Sequence, residues 1–189
     1  MFKKTDPNPQ LDIFTAPSMQ LGSRASKKYS DPNAWHNQFY SLVTTKIDGI
    51  GSQMHVSCCM DPVEQKKRED AYVNMLNLMV STHKLVRISE LDMGLADKDG
   101  NLVNTTDMTE EQHKAMRAYY EFIVKKYLEI VPENQQWGIC QWCVTDSPAN
   151  SGWRAGLPVG LWDLDYYRKH TYGGFAAGLG APEYWNNAK

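Results

Sequence analysis

Between Ile47 and Val144 the sequence alternates strand-length apolar runs with capped helical periods, and that alternation most constrains what it can fold into. The run IDGIGSQMHV, 47–56, reads as a strand entered through Gly49 and Gly51, with Gln53 and His55 on one face and Met54 and Val56 on the other. Asp61 then supplies an N-cap, Pro62 a proline at the first helical position and Glu64 a carboxylate three residues after the cap. Tyr72, Met75, Leu76, Met79 and Val80 continue at helical spacing, which predicts a helix of about 20 residues. Leu85 to Asp92 is a second strand. Thr109 with Gln112 opens a second helix along Met116, Tyr119, Tyr120, Ile123, Tyr127 and Ile130, closed by Pro132. Trp137 to Val144 is a third strand, with Trp142 on the face of Cys140. Strand, helix, strand, helix, strand with tight connections implies a parallel sheet with right-handed crossovers.

Functional groups of parallel α/β folds gather at the C-terminal ends of the strands. All three strands here end in chemically informative residues: Gln53 and His55, then Glu90 and Asp92, then Trp142. The middle stretch, KLVRISELDMG, is the most pointed. Strict alternation places Val86, Ile88, Glu90 and Asp92 on one face and Leu85, Arg87, Ser89 and Leu91 on the other. Ionised groups are costly to bury, so a face that ends in two carboxylates belongs either at a solvated strand end, where they simply begin a loop, or in a site that uses them.

Composition narrows the function classes. A chain of 189 residues fits one domain with enough apolar content for a core. A formal net charge of -2 with scattered charges gives no basic stripe, which argues against nucleic acid as the main partner. There is no apolar run of about 18 residues, so no membrane span is expected, and no apolar h-region follows Lys3 and Lys4, so no signal peptide is visible. Six Trp, mostly in the last third, suit a surface that stacks flat ligands or sugar rings; a Trp-rich core is the structural alternative. The four cysteines form the pairs Cys58-Cys59 and Cys140-x-x-Cys143. They could make a zinc site, but alternation puts the Cys140 and Cys143 sulfurs on opposite faces, which favours buried free thiols and no metal.

Elsewhere the signal is weaker. Residues 1–45 are loop-rich and stay unassigned, apart from a short helix expected over Trp35 to Val43. The polar stretch ADKDGNLVNTTD suggests a hairpin or flap. A long loop follows the third strand, then a short helical segment near Tyr166 to Phe175.

A carboxylate, an imidazole and a second carboxylate on neighbouring strand ends suit a site in which Glu90 is held ionised and oriented, with His55 bridging to Asp92. A fixed carboxylate nucleophile beside stacking aromatics is what retaining glycoside hydrolysis requires. At these residues the chain resembles glycoside hydrolase family 10, the endo-1,4-β-xylanases, which fold as (β/α)8 barrels. The resembling elements are DGIGSQMH at 48–55, VRISELDM at 86–93 and the run from QWCVTDSPANSGWR to LWDLDYYRKHTY at 141–172. The resemblance implies an α/β fold that is a partial (β/α)8 TIM barrel, residues 46–189 covering about the last three βα units, strands six to eight. It implies Glu90 as nucleophile, with His55 and Asp92 orienting it, and Gln53 bonding the sugar next to the scissile bond. Trp142 and Trp153 match two tryptophans that wall the subsite on the non-reducing side, and Arg154 follows the second and is taken as substrate-binding. A core histidine, a packed barrel aromatic and a mobile loop Trp remain the structural alternatives for His55, Trp142 and Trp153.

One departure stands out: the acid/base glutamate of the family sits in a Trp-Asp-Val-x-Asn-Glu motif, and no such motif occurs here. The expected partners are β-1,4-xylan or xylo-oligosaccharides, with self-association or a missing N-terminal half-barrel following from the incomplete barrel, and no cofactor is implied. The family suggests a secreted or periplasmic parent. The alternative function is a pseudoenzyme that binds xylan without cutting it; a third possibility is an unrelated α/β protein in which these residues are structural.

Overall fold

A computed structural model describes residues 48–182 and the backbone of 14–16; the helix expected over 35–43 lies outside these residues. The elements are β1 (Phe14–Ala16), β2 (Gly49–Cys59), α1 (Pro62–Val80), β3 (Leu85–Ala96), α2 (Glu110–Ile130), β4 (Gln136–Gln141) and α3 (His170–Gly178). Among the described residues four strands form one sheet in the order β1-β2-β3-β4, every pairing parallel. Among the described residues no helix is long and apolar enough to cross a membrane.

The helices start where local chemistry tells them to. Asp61 accepts the Glu64 amide at 2.8 Å and Pro62 occupies the first turn, so α1 begins with one orphan donor satisfied and another never present. α2 opens on a reciprocal capping box: the Gln112 amide donates to Thr109 Oγ1 at 3.3 Å and the Thr109 amide to Gln112 Oε1 at 2.8 Å. Tyr72, Met75, Leu76 and Met79 of α1 and Met116, Tyr119, Tyr120, Ile123 and Tyr127 of α2 pack onto the sheet face carrying Ile50, Met54, Val56, Val86, Ile88, Leu91 and Met93. The Tyr127 hydroxyl donates to the Val86 carbonyl at 2.7 Å and receives the Trp137 and Gly138 amides at 3.1 and 2.9 Å, joining α2 to two strands.

β3 departs from strict alternation at one residue. Opposite β2 the register runs Ile50↔Val86 and Ser52↔Ile88, then shifts to Gln53↔Glu90, Met54↔Leu91 and His55↔Asp92. Ser89 is therefore the extra residue of a β-bulge, and its hydroxyl is buried without a partner. Beyond it the faces exchange: Leu91, Met93 and Leu95 continue the core that Val86 and Ile88 began, while Glu90 and Asp92 join Gln53 and His55 on the opposite side. This corrects the expectation that Glu90 and Asp92 share a face with Val86 and Ile88. A regular strand would have buried both carboxylates among the α1 and α2 side chains, and the bulge removes that cost.

Several boundaries also differ from expectation, among them that of β2, which runs on to Cys59 instead of ending at Val56. β3 runs four residues past Asp92 because its end pairs with Val56 to Cys59 of β2. β4 stops at Gln141, after which the Trp142 amide still reaches the Leu91 carbonyl at 2.8 Å before the chain bends away. α3 starts at His170, since residues 163–167 form a turn in which Asp163 Oδ1 accepts the Asp165 and Tyr167 amides. The polar excursion after β3 is a tight turn on Asp97 closed by an antiparallel bridge from Ala96 to Leu102. All four cysteines are free thiols; Cys58 and Cys59 are buried as expected, whereas Cys140 and Cys143 are half-buried.

Candidate active site

Once past the bulge, β2 and β3 deliver side chains in matched pairs to the side away from the helices, Gln53 with Glu90, His55 with Asp92, Ser57 with Gly94. Gln53 Nε2 donates to Glu90 Oε1 at 2.8 Å. The His55 ring lies between the two acids, Nε2 at 3.2 Å from Glu90 Oε2 and Nδ1 at 3.1 Å from Asp92 Oδ2. Both oxygens of Glu90 thus have a fixed neighbour, yet its side chain keeps 19% of its surface.

The loop after β4 brings the remaining groups. It leaves the sheet at Trp142 and returns by bonds from Leu161 and Trp162 to the Val144 carbonyl and from Asp146 to the Trp162 carbonyl. At its tip Trp153 Nε1 donates to Asp92 Oδ2 at 2.9 Å, and Arg154 Nη1 lies 2.5 Å from Asp92 Oδ1. The same guanidinium donates to the Val56 carbonyl and the Ser57 hydroxyl, each at 3.0 Å. Arg154 crosses the sheet directly over Gly94, where a Cβ would overlap its Nη2. Arg154 itself has φ +46°, so its backbone occupies the left-handed region, at a cost that the three-way anchoring of its side chain offsets.

Asp92 is fully buried with His55, Trp153 and Arg154 around it. Burial alone would raise its carboxyl, but the His55 hydrogen bond, the Arg154 charge and the Trp153 indole outweigh it and hold the group below the ordinary carboxylate value. The Cys143 thiol, 3.8 Å from Asp92 Oδ2, is pushed up to about 12 by its burial and by that acid's charge, so it is a neutral neighbour at any ordinary pH. Tyr120 and Gln141 bond to each other beneath the bend, and Gln141 Nε2 also reaches the Cys143 carbonyl at 2.9 Å.

The open side of the cluster is aromatic. Trp142 is 50% exposed and Trp153 38%. Their rings meet the His55 ring edge-on, with centroids 6.3 and 4.6 Å away. Flat, half-open indoles beside an oriented carboxylate can stack the apolar face of a pyranose while the acid faces its anomeric carbon. Among the described residues no group of three or more His, Cys, Asp or Glu side chains is arranged to hold a metal ion.

All seven residues expected at the site, Gln53, His55, Glu90, Asp92, Trp142, Trp153 and Arg154, stand together. Arg154 differs from the others in having its donors turned to Asp92 and β2. Ser57 and Gly94, which seat it, escaped sequence reading; the only signal for them is their place two residues beyond His55 and Asp92 on the same alternation.

The family model of glycosyl hydrolase family 10 matches residues 30–177. Endo-β-1,4-xylanase Xyn10C of Cellvibrio japonicus is 33% identical over 156 residues, which are 70% of this chain and 23% of that protein. Among solved structures, the catalytic core of xylanase A is similar with a TM-score of 0.59 and 26% identity, over 77% of this chain and 45% of that one. A mutant of xylanase 10C from C. japonicus in complex with xylopentaose is similar with a TM-score of 0.56 and 27% identity, over 78% of this chain and 30% of that one. The chain thus spans less than half the length of each of these relatives.

Proposed function

The chain belongs to glycosyl hydrolase family 10, and on that premise we propose that it carries the nucleophile side of a retaining endo-1,4-β-xylanase site, with β2, β3 and β4 as strands six to eight of a (β/α)8 barrel. The supporting observation is Glu90, fixed between Gln53 and His55 yet partly open to solvent, beside the imidazole that Trp142 and Trp153 meet edge-on.

In this reading xylose units of a β-1,4-xylan chain stack on Trp142 and Trp153, and Gln53 bonds the sugar next to the scissile linkage. Glu90 attacks the anomeric carbon, so that a bond from its carboxylate oxygen to that carbon forms as the glycosidic carbon–oxygen bond breaks, and water later releases the sugar with its configuration retained. His55 orients Glu90 and is itself held by Asp92. We assign Arg154 to holding Asp92 rather than to touching sugar, because its donors are spent on Asp92, Val56 and Ser57. Asp92 is buried under those contacts and does not serve as the acid. The leaving oxygen takes its proton from a carboxyl outside the described residues, supplied by the N-terminal half of a barrel.

The test is to assay the 189-residue chain on xylan and on an aryl xylobioside, alone and mixed with a separately expressed N-terminal half of a related barrel. Alone it should hydrolyse xylan about 10² to 10⁴-fold more slowly than the mixture, the share expected of a positioned acid, and the deficit should be smaller on the aryl substrate. Rescue should vanish with Glu90→Ala. Full xylan turnover by the chain alone would overturn the need for a second half, and xylopentaose binding without rescue would favour the binding-only reading.

A further inference from the structure

Outside the catalytic cluster one buried ion pair has no role in the reading above. Lys169, just ahead of α3, is 5% exposed and Asp146, in the loop after β4, is 1% exposed. Lys169 Nζ lies 2.5 Å from Asp146 Oδ1 and also donates to the Pro158 carbonyl at 3.1 Å and the Gly160 carbonyl at 3.3 Å, which uses all three of its protons. Both oxygens of Asp146 are engaged as well: Oδ1 accepts the Gly160 amide at 3.0 Å, and Oδ2 accepts the Thr105 hydroxyl at 2.5 Å. Such a pair is weak evidence for stability, since an apolar replacement of similar volume is often neutral; its distinctive property is to permit one arrangement of the groups around it.

The arrangement is specific. Asp146 and residues 158–160 are the two sides of the neck of the loop whose tip is Trp153 and Arg154. The neck is tight enough that a Cβ on Gly160 would run into the Thr145 backbone. Thr105 belongs to the turn after β3, and its amide donates to the Gly156 carbonyl of the same loop at 2.8 Å. One ammonium and one carboxylate therefore tie together the loop after β3, both sides of the loop after β4 and the start of α3. From this geometry we propose that Asp146 and Lys169 are positioning residues that set where Trp153 and Arg154 meet Asp92, and hence the shape of the indole wall that receives sugar. The sugar part of this inference rests on the function proposed above; the placement of Trp153 does not.

The test uses the full chain with Lys169→Met, the charge-neutral pair Asp146→Asn with Lys169→Met, and the milder Thr105→Val in case the first does not fold. The Trp153 indole proton is followed by NMR and its solvent exchange measured. In the folded variants it should move toward the position of a free indole and exchange at least about tenfold faster, as expected of a locally opened contact, and xylopentaose should bind about tenfold more weakly wherever the parent binds. A lower melting temperature with an unmoved Trp153 resonance in every folded variant would overturn the proposal, leaving the pair as a stabiliser only. A parent chain that ignores xylopentaose while its variants release Trp153 would overturn the sugar reading and keep the positioning one.

Discussion

Trp153 donates its indole proton to Asp92 Oδ2 across 2.9 Å, although the two residues lie 61 positions apart and belong to a loop and a strand. The next residue, Arg154, takes the other oxygen. Two consecutive loop residues thus close over one strand carboxylate while His55 approaches it from the neighbouring strand, so the acid that holds the His55 ring also anchors Trp153.

Arg154→Met should therefore cost far more than an ordinary surface change. It leaves the buried Asp92 carboxylate without its cationic partner and with only the His55 and Trp153 contacts, both on Oδ2, for which up to about 3–5 kcal/mol is expected. Urea unfolding of the folded chain measures it. Arg154→Lys should recover only part, since an ammonium cannot span Asp92, Val56 and Ser57 together. A loss below about 1 kcal/mol for the Met variant would contradict the anchoring role.

The acid side of the stability profile follows from the same carboxylate. Asp92 is held below its ordinary value in the fold, whereas in the unfolded chain it titrates near 3.9. Between those two values the unfolded state binds more protons, so stability rises with pH there. The contribution is complete above about pH 3.9 and is lost as pH falls through the folded value. Urea midpoints from pH 6 to pH 2 should show this decline, and Arg154→Met, which raises the folded value toward the unfolded one, should make it shallower. An identical profile in both proteins would rule Asp92 out as its source.

Gly94→Ala tests the slot under the guanidinium. The new methyl group overlaps Arg154 Nη2 and meets Ser57 Oγ at 3.3 Å, so the arginine must lift and give up partners. A loss of about 1–3 kcal/mol is expected, and nearly all of it should disappear when the substitution is made in the Arg154→Met background. Equal losses in both backgrounds would show that the methyl collides with something else.

How far the sequence carried depended on how local the signal was. Asp61-Pro62 and Thr109 with Gln112 mark helix starts through contacts three residues away, so α1 and α2 were legible nearly to the residue. The strand pairings of Gln53 with Glu90 and His55 with Asp92 needed only a common direction and approximate register. The face of Glu90 is not legible in the sequence, because Ser89 has no composition that marks a bulge and only pairing with β2 reveals it. The apolar run that continues to Val144 predicts a strand through Trp142, but the chain bends after Gln141, whose side chain bonds Tyr120 and the Cys143 carbonyl. The seating of Arg154 on Asp92, over 62 residues of separation, has no sequence period at all.

Trp142→Ala separates binding from folding. The indole is half exposed and takes part in no hydrogen bond through its side chain among the described contacts of the cluster, so the stability loss should stay within about 1–2 kcal/mol, that of half an indole's burial, and below that of Arg154→Met. Xylopentaose binding, read by calorimetry, should weaken at least about tenfold, or 1.4 kcal/mol. Unchanged affinity would remove Trp142 from the sugar wall.

The bulge at Ser89 means that the site is encoded by a count of residues as well as by their identities. Each position of β3 after 89 owes its side of the sheet to parity, and one extra residue inverts it for everything downstream. Substituting Ser89 keeps the count, so the carboxylates stay where they are. Deleting it would restore even pairing, turn Glu90 and Asp92 toward α1 and α2, and present Leu91 and Met93 to the side of Gln53 and His55, with every letter of the cluster still in place. Length variation at this single point is consequently under much harsher constraint than spelling, and a related chain with a gap opposite Ser89 would keep the words of the site and lose the site.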